Sequence, residues 1–293
     1  MRKVNQQSTP EIWKCIRYSS IFSRSNFDRL LKHDDYSIFH NTIRDYDKSS
    51  VGSKLITYSD YTNHVYKYLL KNYRNEYIFK NSLIKELVKE YGTSSSVIFN
   101  EFPVGNSIAD LVLFNGKSRA YEIKTELDSN KRLNTQLADY KKIFQQCYIV
   151  VYKNCVDKYI SSDDGVGIIS MEVNRGRVKF EEVKQPVCNN NIDPHTLIRC
   201  LRTSEYKEIV KRYYGELPQM NAFTAFSDCE EMMCHIPSGE LINLFIKIMK
   251  ERKTNMQQLK SFDKYLWQIC LSMHLSTKEY DIIYRKLKEP INI

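Results

Sequence analysis

Between residues 96 and 125 three short β-rich runs, SVIFNEF, SIADLVLF and RAYEIKT, follow one another across the turn segments PVGN and NGK. Apolar runs bounded by glycine-containing turns predict neighbouring strands of one sheet, and a strand fixes which way every side chain points. Asp110 falls in the second run and Glu122-Ile123-Lys124 in the third. With a period of two, Glu122 and Lys124 share a face while Ile123 points to the other.

A hairpin about Gly116 then brings Asp110 roughly opposite Glu122. Strand parity makes this a sharp requirement. A two-residue Asn115-Gly116 turn opposes Asp110 to Tyr121 and sends the two acids to opposite faces. A three-residue loop, Asn115-Gly116-Lys117, opposes Asp110 to Glu122. Asn-Gly is the strongest two-residue turn signal, so local propensity and a shared carboxylate site point different ways. The shared site demands the odd loop.

Two carboxylates and an ammonium on otherwise apolar strands need a physical reason. Clustered carboxylates repel and lose hydration unless a cation sits between them. Mg²⁺ accepts one or two carboxylates and keeps several waters, and Mn²⁺ suits the same oxygen donors. Such an ion activates water and offsets charge on a leaving phosphate oxygen, while Lys124 can orient the water or stabilise the oxyanion. Phosphodiester hydrolysis is the chemistry these residues fit. The plainer alternative is the polar face of a half-exposed hairpin with Lys124 in a surface ion pair.

The surrounding text predicts an α/β architecture. NSLIKELVKEYG reads as an amphipathic helix with Leu83, Ile84, Leu87 and Val88 on its stripe and Gly92 as its stop. KRLNTQLADYKKIFQQ returns to helical spacing after the third run, and CYIVVY reads as a buried strand. GVGIISMEV and RVKFEEV flank Asn174-Arg175-Gly176 as a second hairpin. The order helix, strand, strand, strand, helix, strand implies a mixed sheet of four or five strands covered by helices. Residues 1–75 and 188–293 read as helical regions around a core at 76–187, with HTLIRCLRTSEYKEIVKRYYG one helix ending at Gly215 and SGELINLFIKIMKERK another, capped by Ser238.

Here IADLVLF…YEIK, followed by Gln136 and Tyr140 as Q-x-x-x-Y, resembles the PD-(D/E)xK nucleases, the restriction-endonuclease-like fold. More closely, ADLVLFNGKSRAYEIKTELDSNKRLNTQLADY resembles a small bacterial and phage family in that superfamily whose members are mostly uncharacterised. The resemblance covers residues 80–152 and says little about either flank. It implies Asp110 and Glu122 as metal-binding acids, Lys124 as the motif lysine and the Ile123 carbonyl as a backbone metal ligand. Gln136 and Tyr140 match the helix that touches substrate or acids. Asp128, Lys131 and Arg132 match a D-x-x-x-R-L run, with Arg132 the better candidate for phosphate. Asp128 or Ser129 reads equally as a helix cap. A further acid is usual in the superfamily. Glu101 is favoured by the nearer family's pattern, with Glu86 and Glu90 on the preceding helix as competitors. His64 reads as a packed residue and not as an upstream catalytic histidine.

The expectation is therefore a nuclease dependent on Mg²⁺ or Mn²⁺ and acting on nucleic acid, DNA first. The rivals are a non-catalytic nucleic-acid-binding or assembly module on the same fold, and an RNA-directed or toxin-like nuclease. A net charge of +9, from 44 Lys and Arg against 35 Asp and Glu, suits a polyanionic partner. The helical termini could hold DNA, a partner protein or a second copy. No run approaches the roughly eighteen apolar residues of a membrane span, and MRKVNQQSTPEIWK lacks the apolar stretch of a secretory signal. A cytoplasmic protein with reduced thiols is expected. The eight cysteines include no C-x-x-C pair, and Cys229, Cys234 and His235 lack a fourth zinc ligand at a familiar distance.

Overall fold

The computed structural model describes residues 9–52, 55–73, 75–126, 128, 130–161, 165–221, 223–252, 254 and 256–293. They form two compact units. The first holds the described residues up to Lys85, the segment Val173–Val178 and Gln257–Ile293; the second holds Glu86–Glu172 and Lys179–Met256.

Helices α1 (Thr9–Ile21), α2 (Arg24–His33), α3 (Ser37–Tyr46), α4 (Tyr58–Asn72) and the start of α5 (Glu76–Tyr91) build the first unit. Its core gathers Tyr18, Phe27, Leu30, Phe39, Tyr61, Val65 and Leu69. Thr57 begins α4 with a reciprocal capping box to Asp60, which satisfies two backbone donors at the helix start. Asp47 is buried and accepts from Tyr18 Oη at 2.6 Å and Tyr61 Oη at 2.8 Å. His64 lies 3.8 Å from the same carboxylate and stacks on Tyr61, so it serves the packing of this unit.

The sheet runs β1 (Val97–Val104), β2 (Ser107–Phe114), β3 (Ser118–Lys124), β4 (Gln146–Tyr152), β5 (Gly167–Asn174) and β6 (Arg177–Lys184), in that spatial order. It has six strands and not four or five. β1, β2 and β3 pair antiparallel, whereas β4 runs parallel to β3 and β5 parallel to β4. The β3-to-β4 crossover carries α6 (Leu133–Lys141), and α7 (Val156–Tyr159) follows β4. A parallel pair cannot be closed by a tight turn, so the helix follows from topology. Leu133, Leu137 and Tyr140 of α6 share one apolar cluster with Phe102, Val112, Phe114, Ile149 and Val151 of the sheet.

The later helices are α8 (Pro194–Cys200), α9 (Thr203–Tyr214), α10 (Ala225–Cys234), α11 (Ser238–Glu251), α12 (Trp267–Met273) and α13 (Thr277–Lys288). Leu197, Ile209, Met233, Leu241 and Phe245 join the sheet's own cluster, and the Phe245 ring meets Phe114 edge-on at 5.1 Å. Residues from 257 onward belong with the N-terminal helices, where α13 packs on α2 and α4. The long helix expected after His195 is two. It breaks at Arg202, whose extended backbone donates to Glu205 Oε2 at 2.7 Å and restarts the chain as α9. Ser238 is the first residue of α11 and Pro237 its cap position; the Ser238 hydroxyl instead donates to Asn191.

Candidate active site

The loop between β2 and β3 has the odd length. Phe114 pairs with Ser118, and Asn115-Gly116-Lys117 lie between them. A two-residue type I′ turn needs positive φ at both central residues, and here only Gly116 has it. Arg175-Gly176 of the β5–β6 hairpin, at φ 49° and 77°, shows the two-residue alternative in the same sheet. Contacts from elsewhere fix the longer loop. Ser118 N donates to Gln145 Oε1 at 3.1 Å, Gln145 N donates to Ser118 Oγ at 3.0 Å, and Arg119 reaches Asn115 Oδ1 at 2.6 Å.

That register carries Asp110 to Glu122. The last paired residues are Leu111 and Tyr121, so the next position sets the two acids opposite each other. There the ladder stops, and the Asp110 carboxylate accepts the Ile123 N–H at 2.8 Å in place of a backbone carbonyl. Strand geometry turns the Ile123 carbonyl toward the same side as its N–H, which is the side of Asp110.

Glu122 is 3% exposed and Lys124 8%. The Lys124 ammonium donates to Glu122 Oε1 at 2.7 Å and to Gln136 Oε1 at 3.1 Å. Tyr140 Oη lies 2.7 Å from Glu122 Oε2 and 2.7 Å from the Ile108 carbonyl. Burial first, then the neighbouring Glu122 charge, pushes the Tyr140 phenol far above its ordinary range, so it stays a donor. Gln136 and Tyr140 lie four residues apart on α6, which sets them along one helical side. Both oxygens of a buried carboxylate are thus held, one from its own strand and one from α6.

Glu101 is exposed, and its flanking pairs Asn100–Leu111 and Phe102–Ala109 put it across β1 from Asp110. Its φ of 56° sits where the buried face of β1 changes from Val97 and Phe99 to Phe102 and Val104, so a local left-handed residue takes up the slip in alternation. Among the described residues no group of three or more His, Cys, Asp or Glu side chains is placed to hold a metal. Glu101 therefore shares the register of the two acids without forming a three-acid cluster with them. Glu86 is engaged by Lys89 at 2.9 Å on α5. Arg132 is exposed at the start of α6. Asp128 caps a turn and not a helix, accepting from Thr125 N at 2.6 Å and Thr125 Oγ1 at 2.8 Å; Ser129 lies outside the described residues.

Two supports were not read from the sequence. Asp139 of α6 accepts from Ser107 Oγ at 2.8 Å and pairs with Lys142 at 2.8 Å, tying the helix to the β1–β2 turn. Gly105, at φ 58°, leaves room for it, since a Cβ there would stand 3.1 Å from the Asp139 carboxylate. An acid beside Tyr140 on a helix gave the only signal.

The donor set fits a hard divalent cation: two carboxylates and a carbonyl oxygen, with no sulfur or imidazole. Asp110, Glu122 and the Ile123 carbonyl would hold such an ion, with water completing its shell.

An α/β sheet unit with an acid, acid, lysine set at the end of a strand pair is the class that fold and site define. Residues 70–267 match the model of the bacteriophage P4 protein cII family, and the chain belongs to that family. Protein cII of Enterobacteria phage P4 is 33% identical over 139 residues, which is 46% of this chain and 52% of the relative. The match thus spans about half the relative's length. Among solved structures, the SPO1766 protein of unknown function from Silicibacter pomeroyi aligns with 48% of this chain and 92% of its own, at 12% identity and a TM-score of 0.32. Among the described residues no helix is long and apolar enough to cross a membrane.

Proposed function

We propose that the protein is a metal-dependent nuclease that hydrolyses phosphodiester bonds of nucleic acid, with DNA as substrate. The observation that carries this reading is the meeting of Asp110 with the Glu122–Lys124 pair where the β2–β3 ladder ends, under Gln136 and Tyr140 of α6. The same five positions carry the resemblance to the PD-(D/E)xK nucleases. The order α5, three antiparallel strands, α6 and parallel β4 supports it too.

Asp110, Glu122 and the Ile123 carbonyl would hold Mg²⁺ or Mn²⁺, which would supply an activated water and charge compensation at the leaving oxygen. Lys124 presents an ammonium beside the acids, where charge develops on the phosphoryl oxygens. Gln136 accepts from that ammonium and limits its rotamers. Tyr140 keeps the Glu122 carboxylate oriented. Arg132, exposed at the start of α6, offers a backbone-phosphate contact that carries no sequence information.

Supercoiled plasmid, linear duplex DNA and RNA, each with Mg²⁺, Mn²⁺ or chelator, test the reading alongside Lys124→Ala. The expected result is metal-dependent DNA cleavage that the variant lacks. Cleavage of RNA alone moves the assignment to the RNA-directed reading. Nucleic-acid binding without cleavage of any substrate replaces the enzyme by a binding module.

A further inference from the structure

Helix α10 carries Phe226, Glu230 and Cys234 at every fourth residue, and α8 faces it with His195 and Arg199 at the same spacing. The Arg199 guanidinium lies 5.8 Å from the Phe226 ring and 3.1 Å from Glu230 Oε1, and it also donates to the His195 carbonyl. His195 Nδ1 is 3.1 Å from Glu230 Oε1, while its Nε2 is 3.6 Å from Cys234 Sγ. An ionised carboxylate only accepts, so Nδ1 carries a proton, and in the neutral ring Nε2 keeps the lone pair that faces the sulfur. Cys234 is exposed and the His195 side chain is 62% exposed, so both atoms are open to solutes.

Two chemistries use a thiol beside an imidazole: nucleophilic attack and metal ligation. The local charge separates them. Partial burial first, and then the charges of Glu230, Asp193 and Glu231, push the Cys234 thiol pKa up; the three carboxylates oppose a bare thiolate nucleophile and attract a cation. Distance agrees. Zinc binds sulfur at about 2.3 Å and imidazole nitrogen at about 2.0–2.1 Å, which at a tetrahedral angle sets the two atoms about 3.6 Å apart. A carboxylate on the far ring nitrogen is also the usual outer partner of a metal-bound histidine.

We propose that Cys234 Sγ and His195 Nε2 form a surface site for a borderline-soft divalent metal of the zinc class, with Glu230 orienting the imidazole. On binding, the Cys234 S–H bond breaks, a sulfur–metal bond forms and the proton leaves to solvent. One chain gives two ligands, since no group of three or more is placed to hold a metal among the described residues. Water fills the other positions, or the same pair from a second copy completes a two-cysteine, two-histidine shell. The site is chemically distinct from the all-oxygen set at Asp110 and Glu122, and stands whether or not the nuclease reading does.

Titrating the full reduced chain with Co²⁺ tests this, because a thiolate ligand gives a near-ultraviolet charge-transfer band that oxygen ligands do not. Wild type should show the band and lose it to added Zn²⁺. Cys234→Ser should abolish it, Glu230→Gln should weaken binding roughly tenfold, and Cys155→Ser and Cys188→Ser should leave it intact. One ion per monomer assigns the remaining positions to water, and one per dimer in sedimentation assigns them to a second copy. No band in wild type, or a band that survives in Cys234→Ser with the fold intact by circular dichroism, overturns the proposal.

Discussion

Tyr140 Oη lies 2.7 Å from Glu122 Oε2 and joins α6 to the carboxyl end of β3. Its single proton can serve either that oxygen or the equally near Ile108 carbonyl, not both at once. With Lys124 on the other oxygen, Glu122 is positioned both from its own strand and from the α-helix that follows it. An acid so placed has its rotamer set before any ligand arrives.

Tyr140→Phe keeps the ring and removes that donor. We expect a stability loss of about 1–3 kcal/mol, the usual range when a buried polar group loses its partner. Urea unfolding checks it, and a loss below about 0.3 kcal/mol would mean that the hydroxyl does not hold Glu122.

Gly105→Ala adds a Cβ at φ 58° that would stand 3.1 Å from the Asp139 carboxylate. The expected loss is about 1–3 kcal/mol, from a strained backbone and a displaced acid. Gly239→Ala is the control. Gly239 lies in α11 with nothing within 4 Å of the added atom, so alanine there should be neutral or stabilise by up to about 1 kcal/mol. Equal losses at both positions would count against the close approach of Gly105 to Asp139.

Much of this site is legible in the sequence because strand alternation is a local rule. Glu122 and Lys124 share a face by spacing alone, and Gln136 and Tyr140 meet them because four residues make about one helical turn. The loop length is not legible from Asn115-Gly116, since Ser118 is held by Gln145 from the segment between α6 and β4. The division into units escapes local reading for the same reason. The apolar stripe of α11 shows that it packs, but not that Phe245 meets Phe114. Glu101 shows a third limit: spacing gives its register with Asp110, whereas its φ of 56° and exposure come from the slip in β1.

Asp47 should make the first unit sensitive to acid. Burial raises its pKa, but the neighbouring His64 imidazole, hydrogen bonds from Tyr18 and Tyr61 and the charge of Lys14 outweigh burial and leave it below the ordinary carboxylate value. A depressed native pKa stabilises above the unfolded value, about 3.9, and that stability fades as pH falls through the native one. Unfolding measured from about pH 5 down to pH 2 should therefore show a loss that Asp47→Asn reduces. The variant should also be less stable at pH 7, because the Tyr18 and Tyr61 hydroxyls lose a charged acceptor. An identical acid slope in the variant would remove Asp47 from this role.

Mg²⁺ or Mn²⁺ should raise the melting temperature of the wild type, since an ion bound only by the folded state adds about 2.7 kcal/mol at a hundredfold excess over Kd. Asp110→Asn should abolish the rise. A shift of the same size in the variant would place the ion elsewhere.

Single-turnover cleavage of duplex DNA by wild type, Asp110→Asn, Glu122→Gln and Lys124→Ala tests the central claim most directly, with each variant's fold checked by circular dichroism. Asparagine and glutamine keep the shapes of the acids and remove only their charge. The account predicts metal-dependent cleavage by wild type and a loss of at least about a hundredfold in each folded variant, within the range ascribed to single groups that stabilise developing charge. Wild-type cleavage retained at its full rate in all three folded variants would contradict it.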